Sequence, residues 1–526
     1  MRLLSIVSIV LLGAANGVAA EPARQPNIVV ILADDLGYGD VKCLNPDGKI
    51  ATPNLDRLAA SGMAFTDAHS ASAVCTPTRY GLLTGRYCWR TKLQSGVLGG
   101  LSPRLIEPNR ATVASLLRSA GYATGCVGKW HLGMDWALKP GKAVTELGIE
   151  PREQVFNVEY TRPIQNGPTS VGFAYYFGIA ASLDMVPYAF IENDRLTAEP
   201  TEDRQFRMRP ESANRFTRKG PAAPGFEAAD VLPALTRAAV QFLGERAAKP
   251  GTPFFLYLPL TTPHTPIAPA KEWTGKSGLG SYADFVMQTD HAVGAVLAAL
   301  DKHGLTPTTL VIFTSDNGCS PEADYPDLLK KGHNPSYHFR GHKADIYEGG
   351  HRVPFLVRWP GVVKPGGTSD QLVCLNDIFR TCAEVAGVTV PDAAGEDSFS
   401  FLPVLRGEKA DGLRTAVVHH SINGSFAIRE GHWKLCLCPG SGGWSAPRPG
   451  RDDASKLPPI QLFNLKEDVG ERTNLHDRQP QVVERLTKLL EQYVADGRST
   501  PGRPQKNAVP VDVWKAGKAA MQPPKK

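Results

Sequence analysis

The chain has 526 residues, 42% of them hydrophobic and 21% charged, with a formal net charge of +6. That length exceeds one ordinary core, and the balance is that of a folded globular protein, which excludes wholesale disorder. The excess positive charge is modest and partly gathered in the tail (Lys506, Lys515, Lys518, Lys525, Lys526), so there is no basic block of the kind that marks nucleic-acid binding.

From the N-terminus, Arg2, the apolar run Leu3 to Leu12 and the small residues Val18-Ala19-Ala20 read as a signal peptide over residues 1–20. Export follows, to the periplasm or the outside, or to the lysosome in a eukaryote. No cysteine follows the run as a lipid anchor would need, and no later stretch is long and apolar enough to span a bilayer. Nine cysteines are present; eight remain if Cys75 is modified, a parity that fits disulfides without specifying any.

Pro26 to Ala33 is an apolar, β-branched run, the pattern of a buried parallel strand. Thr52 and Pro53 open a helix as N-cap and first helical residue, and Gly62 closes it. Ala111 to Ala120 is helical and Tyr122 to Gly128 extended. The helix Phe226 to Ala247 precedes the strand Phe254 to Leu258, and the helix Tyr282 to Leu300 precedes the strand Leu310 to Thr314. This alternation predicts an α/β doubly wound sheet sandwiched by helices, over residues 21–407. Beyond it, Thr415 to His419, Phe426 to Arg429 and Trp433 to Leu437 read as short strands, Ser441 to Pro459 as a loop, and Gln481 to Ala495 as a helix. They predict a small antiparallel sheet with one helix over 408–498. Residues 499–526 read as a basic tail, mobile or draped on the surface, with little core. No internal repeat is present.

Asp34 and Asp35 directly follow the first strand, and Asp316 and Asn317 follow the strand Leu310 to Thr314. Each pair alone is an ordinary acidic or Asn-Gly turn. Together, at the sheet edge where sites collect, they form an all-oxygen set suited to Ca²⁺ or Mg²⁺ rather than Zn²⁺. In Cys75-Thr76-Pro77-Thr78-Arg79, the proline suits a first helical turn. That puts Cys75 at a helix N-terminus, with Arg79 on the same face. Lys129 and His131 sit one residue apart at the end of an extended segment, a spacing that sends both side chains the same way. His264 lies between prolines in Thr262-Pro263-His264-Thr265-Pro266, and Lys343 in a glycine-rich run ending Glu348-Gly349-Gly350. Arg204, Arg207, Arg209, Arg215, Arg218 and Lys219 read as a solvated basic insertion rather than the lining of a cleft.

Cys75-x-Pro77-x-Arg79 followed by Leu83-Thr84-Gly85-Arg86 resembles the signature of the type I, formylglycine-dependent sulfatases. Asp34-Asp35, Gly128-Lys129-Trp130-His131, Asp316-Asn317-Gly318 and Lys343 stand in that family's order, over roughly Gln25 to Gly497. Position 78 is Thr where many members have Ser. The resemblance implies an alkaline-phosphatase-like fold. It further implies a formylglycine-generating enzyme acting on Cys75, and Ca²⁺ held by Asp34, Asp35, Asp316, Asn317 and the modified side chain at 75. It places Arg79 on the formylglycine hydrate, and Lys129, Lys343 and His264 on the sulfate or leaving oxygen. His131 would orient the hydrate, and Ser182 resembles a family serine near the sulfate. His264 and Lys343 both remain open as general acid. Gly172 to Gly178 and Met185 to Tyr188 resemble the branch of arylsulfatase A and N-acetylgalactosamine-6-sulfatase, whose substrates are sulfated carbohydrates. Two alternatives stand beside this. One is a phosphate or phosphonate monoester hydrolase of the same superfamily, and the other a non-catalytic binder of sulfated glycans whose residue 75 is never matured.

Overall fold

The computed structural model describes residues 25–208, 215–408, 413–451 and 454–515. The expected signal peptide, Arg209 and the lysines at 518, 525 and 526 lie outside them. Among the described residues, no helix is long and apolar enough to cross a membrane.

The centre is a ten-stranded mixed sheet. Its middle strands are β1 (Asn27–Asp34), β5 (Phe254–Pro263) and β6 (Thr309–Ser315), every residue of which is buried. Only a strand covered on both faces can be apolar on both, so the continuous runs seen in the sequence become the parallel core. β1 lies between β5 and β6, parallel to both. On the β5 side follow β3 (Ala123–Lys129) and β4 (Tyr175–Ile179), also parallel, and then a short hairpin. On the β6 side, β7 (Phe355–Arg358) is antiparallel and pairs with β2 (Met63–Phe65), which ends on β8 (Gly367–Ser369). Helices α1 (Pro53–Ala60), α4 (Ala228–Ala247) and α5 (Ser281–Lys302) pack together; α2 (Cys75–Thr84), α3 (Val113–Ser119) and α6 (Asp377–Val385) form a second group. This is the doubly wound architecture expected from the alternation.

Two local expectations change. Thr52 does not cap α1. The free N–H groups of Asn54 and Leu55 are instead taken by Asp290 of α5, at 3.1 and 2.8 Å, so tertiary structure supplies the cap. Nor does Gly62 serve as a left-handed helix stop. Its missing side chain lets β7 approach, since a Cβ there would stand 2.0 Å from the Val357 carbonyl oxygen.

The second, four-stranded sheet is antiparallel, β9 (Ala416–His420), β10 (Phe426–Glu430), β11 (Trp433–Cys436) and β12 (Gln461–Asn464), with α7 (Pro480–Ala495) packed on it. β12 was missed because it is short and follows the loop. Its core takes Leu486 and Leu490 from α7 and Tyr87 and Trp89 from beyond α2. Residues 500–515, the described part of the segment read as a tail, contribute core. Val513 and Trp514 are buried in the same cluster, and the Trp514 indole N–H donates to Glu491 at 3.1 Å. All nine cysteines are unpaired, so the parity forms no disulfide.

The two sheets also meet through three buried histidines. His351 and His419 stack with ring centroids 3.6 Å apart, and His69 Nδ1 lies 3.1 Å from His351 Nδ1. Asp67, Glu348, Glu471, Lys434, Arg352 and Arg429 surround them. Burial lowers the pKa of all three, and that of neighbouring His420 to about 3. These rings are neutral in the fold, whereas the unfolded chain takes up protons below its ordinary histidine pKa. Their contribution is therefore present above about pH 6.5 and is lost as pH falls toward the folded values. Glu471, raised to about 7, and Asp316, raised to about 6, both chiefly by burial, act in the opposite sense, two groups against four. The thermal midpoint is expected to fall progressively from about pH 7.5 to about pH 5. A flat midpoint over that window would show the rings already charged in the fold.

Candidate active site

β1 and β6 run in register, with Ala33 opposite Ser315, so their C-terminal ends bring Asp34-Asp35 beside Asp316-Asn317. Asp35 turns the chain in the left-handed region (φ 66°), which Asp tolerates better than most residues. Its N–H donates to Asp316 Oδ1 at 3.2 Å, and its Oδ1 accepts from Asn317 Nδ2 at 2.7 Å. Cys75 is the first residue of α2 and is 2% exposed. Arg79, one turn later, donates from Nε and NH2 to Asp316 Oδ2 at 3.1 and 2.7 Å, and from NH1 to the Lys129 carbonyl at 3.2 Å. Lys129, at the end of β3, donates to Asp34 Oδ2 at 2.8 Å, and Lys343 donates to Asp35 Oδ2 at 2.7 Å. His264, at the end of β5, points Nε2 toward Asp35 Oδ2 at 3.7 Å, while its Nδ1 hydrogen-bonds the Thr265 carbonyl at 2.7 Å.

Three carboxylates thus interleave with three cations. Burial pushes Asp34 up, but Lys129, His264, Arg79 and Lys343 outweigh it and hold the acid well below the usual range. Asp316 goes the other way, to about 6, because burial and then the Asp34 charge outweigh Arg79 and Lys129. The Cys75 thiol is raised by burial against the pull of Lys129 and Lys343, so unmodified it is a poor thiolate.

Two oxygens in this set, Asp34 Oδ1 and Asn317 Oδ1, are buried and accept no hydrogen bond. Leaving such an acceptor unmet costs about 1–3 kcal/mol. A hard divalent cation meets oxygen ligands of this kind, so the donor set fits one. Ligand atoms of Asp34, Cys75 and Asp316 lie within 4.8 Å of one another, which places the side chain at 75 at the same spot. Ser182 Oγ and His131 Nδ1 are likewise buried without a partner.

The acids, Cys75, Arg79, the two lysines and His264 come together at this edge, whereas Arg86 of the signature pairs with Glu107 and Glu396, and Glu348 also lies elsewhere. Its carboxylate bonds Lys434 at 3.0 Å in the histidine joint. The glycines beside it serve packing, since a Cβ on Gly349 would meet the Gly341 carbonyl oxygen, and one on Gly350 the Asp345 carbonyl oxygen, each at 2.2 Å. The alternation argument for Lys129 and His131 fails. His131 has φ 56° and lies beyond the strand, so a left-handed turn, not the strand period, aims its ring. His131 Nε2 donates to the Leu98 carbonyl at 2.8 Å, leaving Nδ1 as the free acceptor. Of the basic insertion, Arg204 pairs with Glu227, Arg215 with Glu322, Arg218 with Asp184 and Lys219 with Asp203. Sequence reasoning missed two residues here, Asp345 and Trp444. The signal for the second was a lone tryptophan in a Gly-Ser-Pro loop, Gly442-Gly443-Trp444-Ser445.

Residues 26–388 match the family model described as Sulfatase. An N-acetylgalactosamine-6-O-sulfatase of Bacteroides thetaiotaomicron is 36% identical over 507 residues, covering 90% of this chain and 93% of that protein. Human arylsulfatase A is 33% identical, covering 91% and 89%. Among solved structures, a Bacteroides thetaiotaomicron sulfatase, whose title concerns the metabolism of multiple glycosaminoglycans, superimposes with a TM-score of 0.74 at 33% identity. It covers 89% of this chain and 99% of that one. With the family's motifs gathered at one sheet edge and the match running through most of its length, the chain belongs to the sulfatase family and is a sulfuric ester hydrolase.

Proposed function

We propose that the chain removes sulfate from a sulfated carbohydrate, with residue 75 oxidised to formylglycine and Ca²⁺ held by Asp34, Asp35, Asp316, Asn317 and that modified side chain. The observation that carries this is the placement of Cys75. It stands buried at the N-terminus of α2, ringed by Arg79, Lys129 and Lys343, with its thiol pKa raised rather than lowered. The carbohydrate reading is supported by the name of the N-acetylgalactosamine-6-O-sulfatase relative. Export and maturation by a formylglycine-generating enzyme belong to the same reading.

In hydrated form, residue 75 would supply both the attacking hydroxyl and, on the same carbon, the second hydroxyl that lets sulfate depart. A bound cation would offset charge on the sulfate oxygens. The chain's own groups do the rest. Arg79, locked on Asp316, fixes the first turn of α2 beneath residue 75. Lys129 and Lys343 bring ammonium groups to Asp34 and Asp35 respectively. His131 Nδ1, kept unprotonated by the Nε2–H bond to Leu98, would accept a proton from the hydrate. His264 and Lys343 keep 6% and 5% exposure where Asp34 and Lys129 have none, so they mark the mouth where the leaving group emerges. Lys343 Nζ is committed to Asp35 at 2.7 Å, whereas His264 Nε2 stands 3.7 Å from it. We therefore assign His264 as the general acid.

His264→Ala is expected to lower kcat on a sugar sulfate by about 10²–10³. Nitrophenyl sulfate, whose leaving group needs no proton, should lose about tenfold or less. Equal losses would remove the assignment. The function is tested by mass spectrometry of the peptide bearing residue 75, together with parallel assays on nitrophenyl sulfate, nitrophenyl phosphate and a panel of sulfated sugars. Dominant phosphatase activity would favour the phosphate or phosphonate hydrolase. A persistent thiol with no turnover, after expression with a maturing enzyme, would favour the non-catalytic binder.

A further inference from the structure

The loop between β11 and β12 crosses from the small sheet to the active-site mouth and is clamped there by its backbone. The N–H groups of Trp444 and Ser445 both donate to Asp345 Oδ1, at 2.8 and 3.0 Å. The Ile346 N–H donates to the Ser441 carbonyl at 2.8 Å, and Ser441 Oγ donates to the Ser445 carbonyl at 2.6 Å. Asp345 is fully buried, and its other oxygen accepts the His342 N–H at 3.0 Å. The loop is thus bolted to Asp345 and Ile346, directly beyond Lys343. None of these bonds uses the Trp444 side chain. The indole is 40% exposed, one of six large apolar side chains so exposed among the described residues. Lys343 Nζ lies over its face, 5.9 Å from the ring centroid, at the outer limit of a cation–π contact. That ammonium is paired with Asp35 at 2.7 Å, so it ties the exposed indole to the carboxylate set of the site.

A tryptophan held rigid by its backbone offers a fixed aromatic face at little cost in ordering when a ligand lies on it. The position fixes what fits. A ligand whose sulfate reaches Lys343 must carry its next several atoms across the indole. A hexopyranose does this with C–H bonds, and the galacto configuration puts those of C3, C4 and C5 on one face, an apolar patch that lies flat on an aromatic ring.

We propose that Trp444 is a saccharide-stacking subsite that selects the sugar ring bearing the sulfate, favouring galacto-configured hexosamine or hexose sulfates. This rests on the carbohydrate sulfatase reading above and adds the residue that chooses among sugars. The test compares wild type, Trp444→Ala and Trp444→Phe with N-acetylgalactosamine 6-sulfate, its gluco epimer and inorganic sulfate. Trp444→Ala should raise KM for the galacto substrate about ten- to thirtyfold and erase most of the galacto preference, and Trp444→Phe should restore most of both. The inhibition constant of inorganic sulfate should not move, because the lysines remain in place. Binding of the same sugar sulfates is followed by calorimetry, which keeps the two readings separable. If wild type binds the galacto ligand but releases no sulfate, the function fails while the subsite stands. An alanine variant that binds and turns over like wild type overturns the subsite. So does an equal rise in the sulfate inhibition constant, which would make Trp444 merely structural, and so does a wild type that binds neither sugar.

Discussion

Cys75→Ala is expected to lower sulfate-ester turnover on the order of 10⁵ while leaving the fold in place. The loss is large because the proposed nucleophile is built from this side chain, and nothing adjacent replaces it. Ser182 Oγ is buried without a partner, but no base sits on it to activate it. The fold survives because the side chain is small and the first turn of α2 is held by other groups. Thr78 Oγ1 donates to the Ser72 carbonyl at 3.0 Å, the Leu98 N–H donates to Thr76 Oγ1 at 3.2 Å, and Arg79 is locked on Asp316. Deleting one buried sulfur costs about 1 kcal/mol. Steady-state kinetics beside a thermal melt reads both halves. Retention of a tenth of wild-type turnover would place the nucleophile elsewhere.

Arg414→Ala is expected to cost about 3–5 kcal/mol of stability, through a site remote from chemistry. Arg414 is 4% exposed and grips Asp377, the first residue of α6, with Nε at 3.0 Å and NH2 at 2.6 Å. NH2 also donates to the Asp397 carbonyl at 2.7 Å, and NH1 to the Ala416 carbonyl at 3.2 Å, where β9 begins. One guanidinium therefore ties the entry of the small sheet to a helix of the large one. Removing it leaves Asp377, 2% exposed, without its cation and held only by the N–H groups of Cys374 and Phe399, each at 2.9 Å. Arg414→Lys should recover only part, because an ammonium cannot make the two-pronged contact. Urea unfolding curves of the three proteins measure this. A loss under about 1 kcal/mol would show that water or a neighbour satisfies Asp377 instead.

Much of the site was legible because its residues sit where local rules put them. Asp34-Asp35 and Asp316-Asn317 each follow an apolar run long enough to be read as a strand, and ligand residues at strand ends share an edge by topology alone. Cys75 and Arg79 share a helical face by period. His131 was named for a wrong reason: its direction is set by a left-handed residue that strand alternation cannot foresee. Glu348 shares a short run with Lys343, yet Lys434 and Glu471, distant in sequence, draw it into the joint. The N-cap of α1 was invisible because Asp290 lies 236 residues from the N–H it accepts.

The chain's sequence by itself determined the order of strands and helices, the sheet edge at which the acids gather, and the pairing of Cys75 with Arg79. Each follows from a period or an adjacency that a few consecutive residues carry. Only the tertiary structure decided which carboxylate meets which cation, that all nine cysteines stay unpaired, and that a Gly-Ser-Pro loop brings Trp444 over Lys343. Those outcomes depend on distances of a few ångströms between segments far apart in the chain, and packing the two sheets together is what sets them.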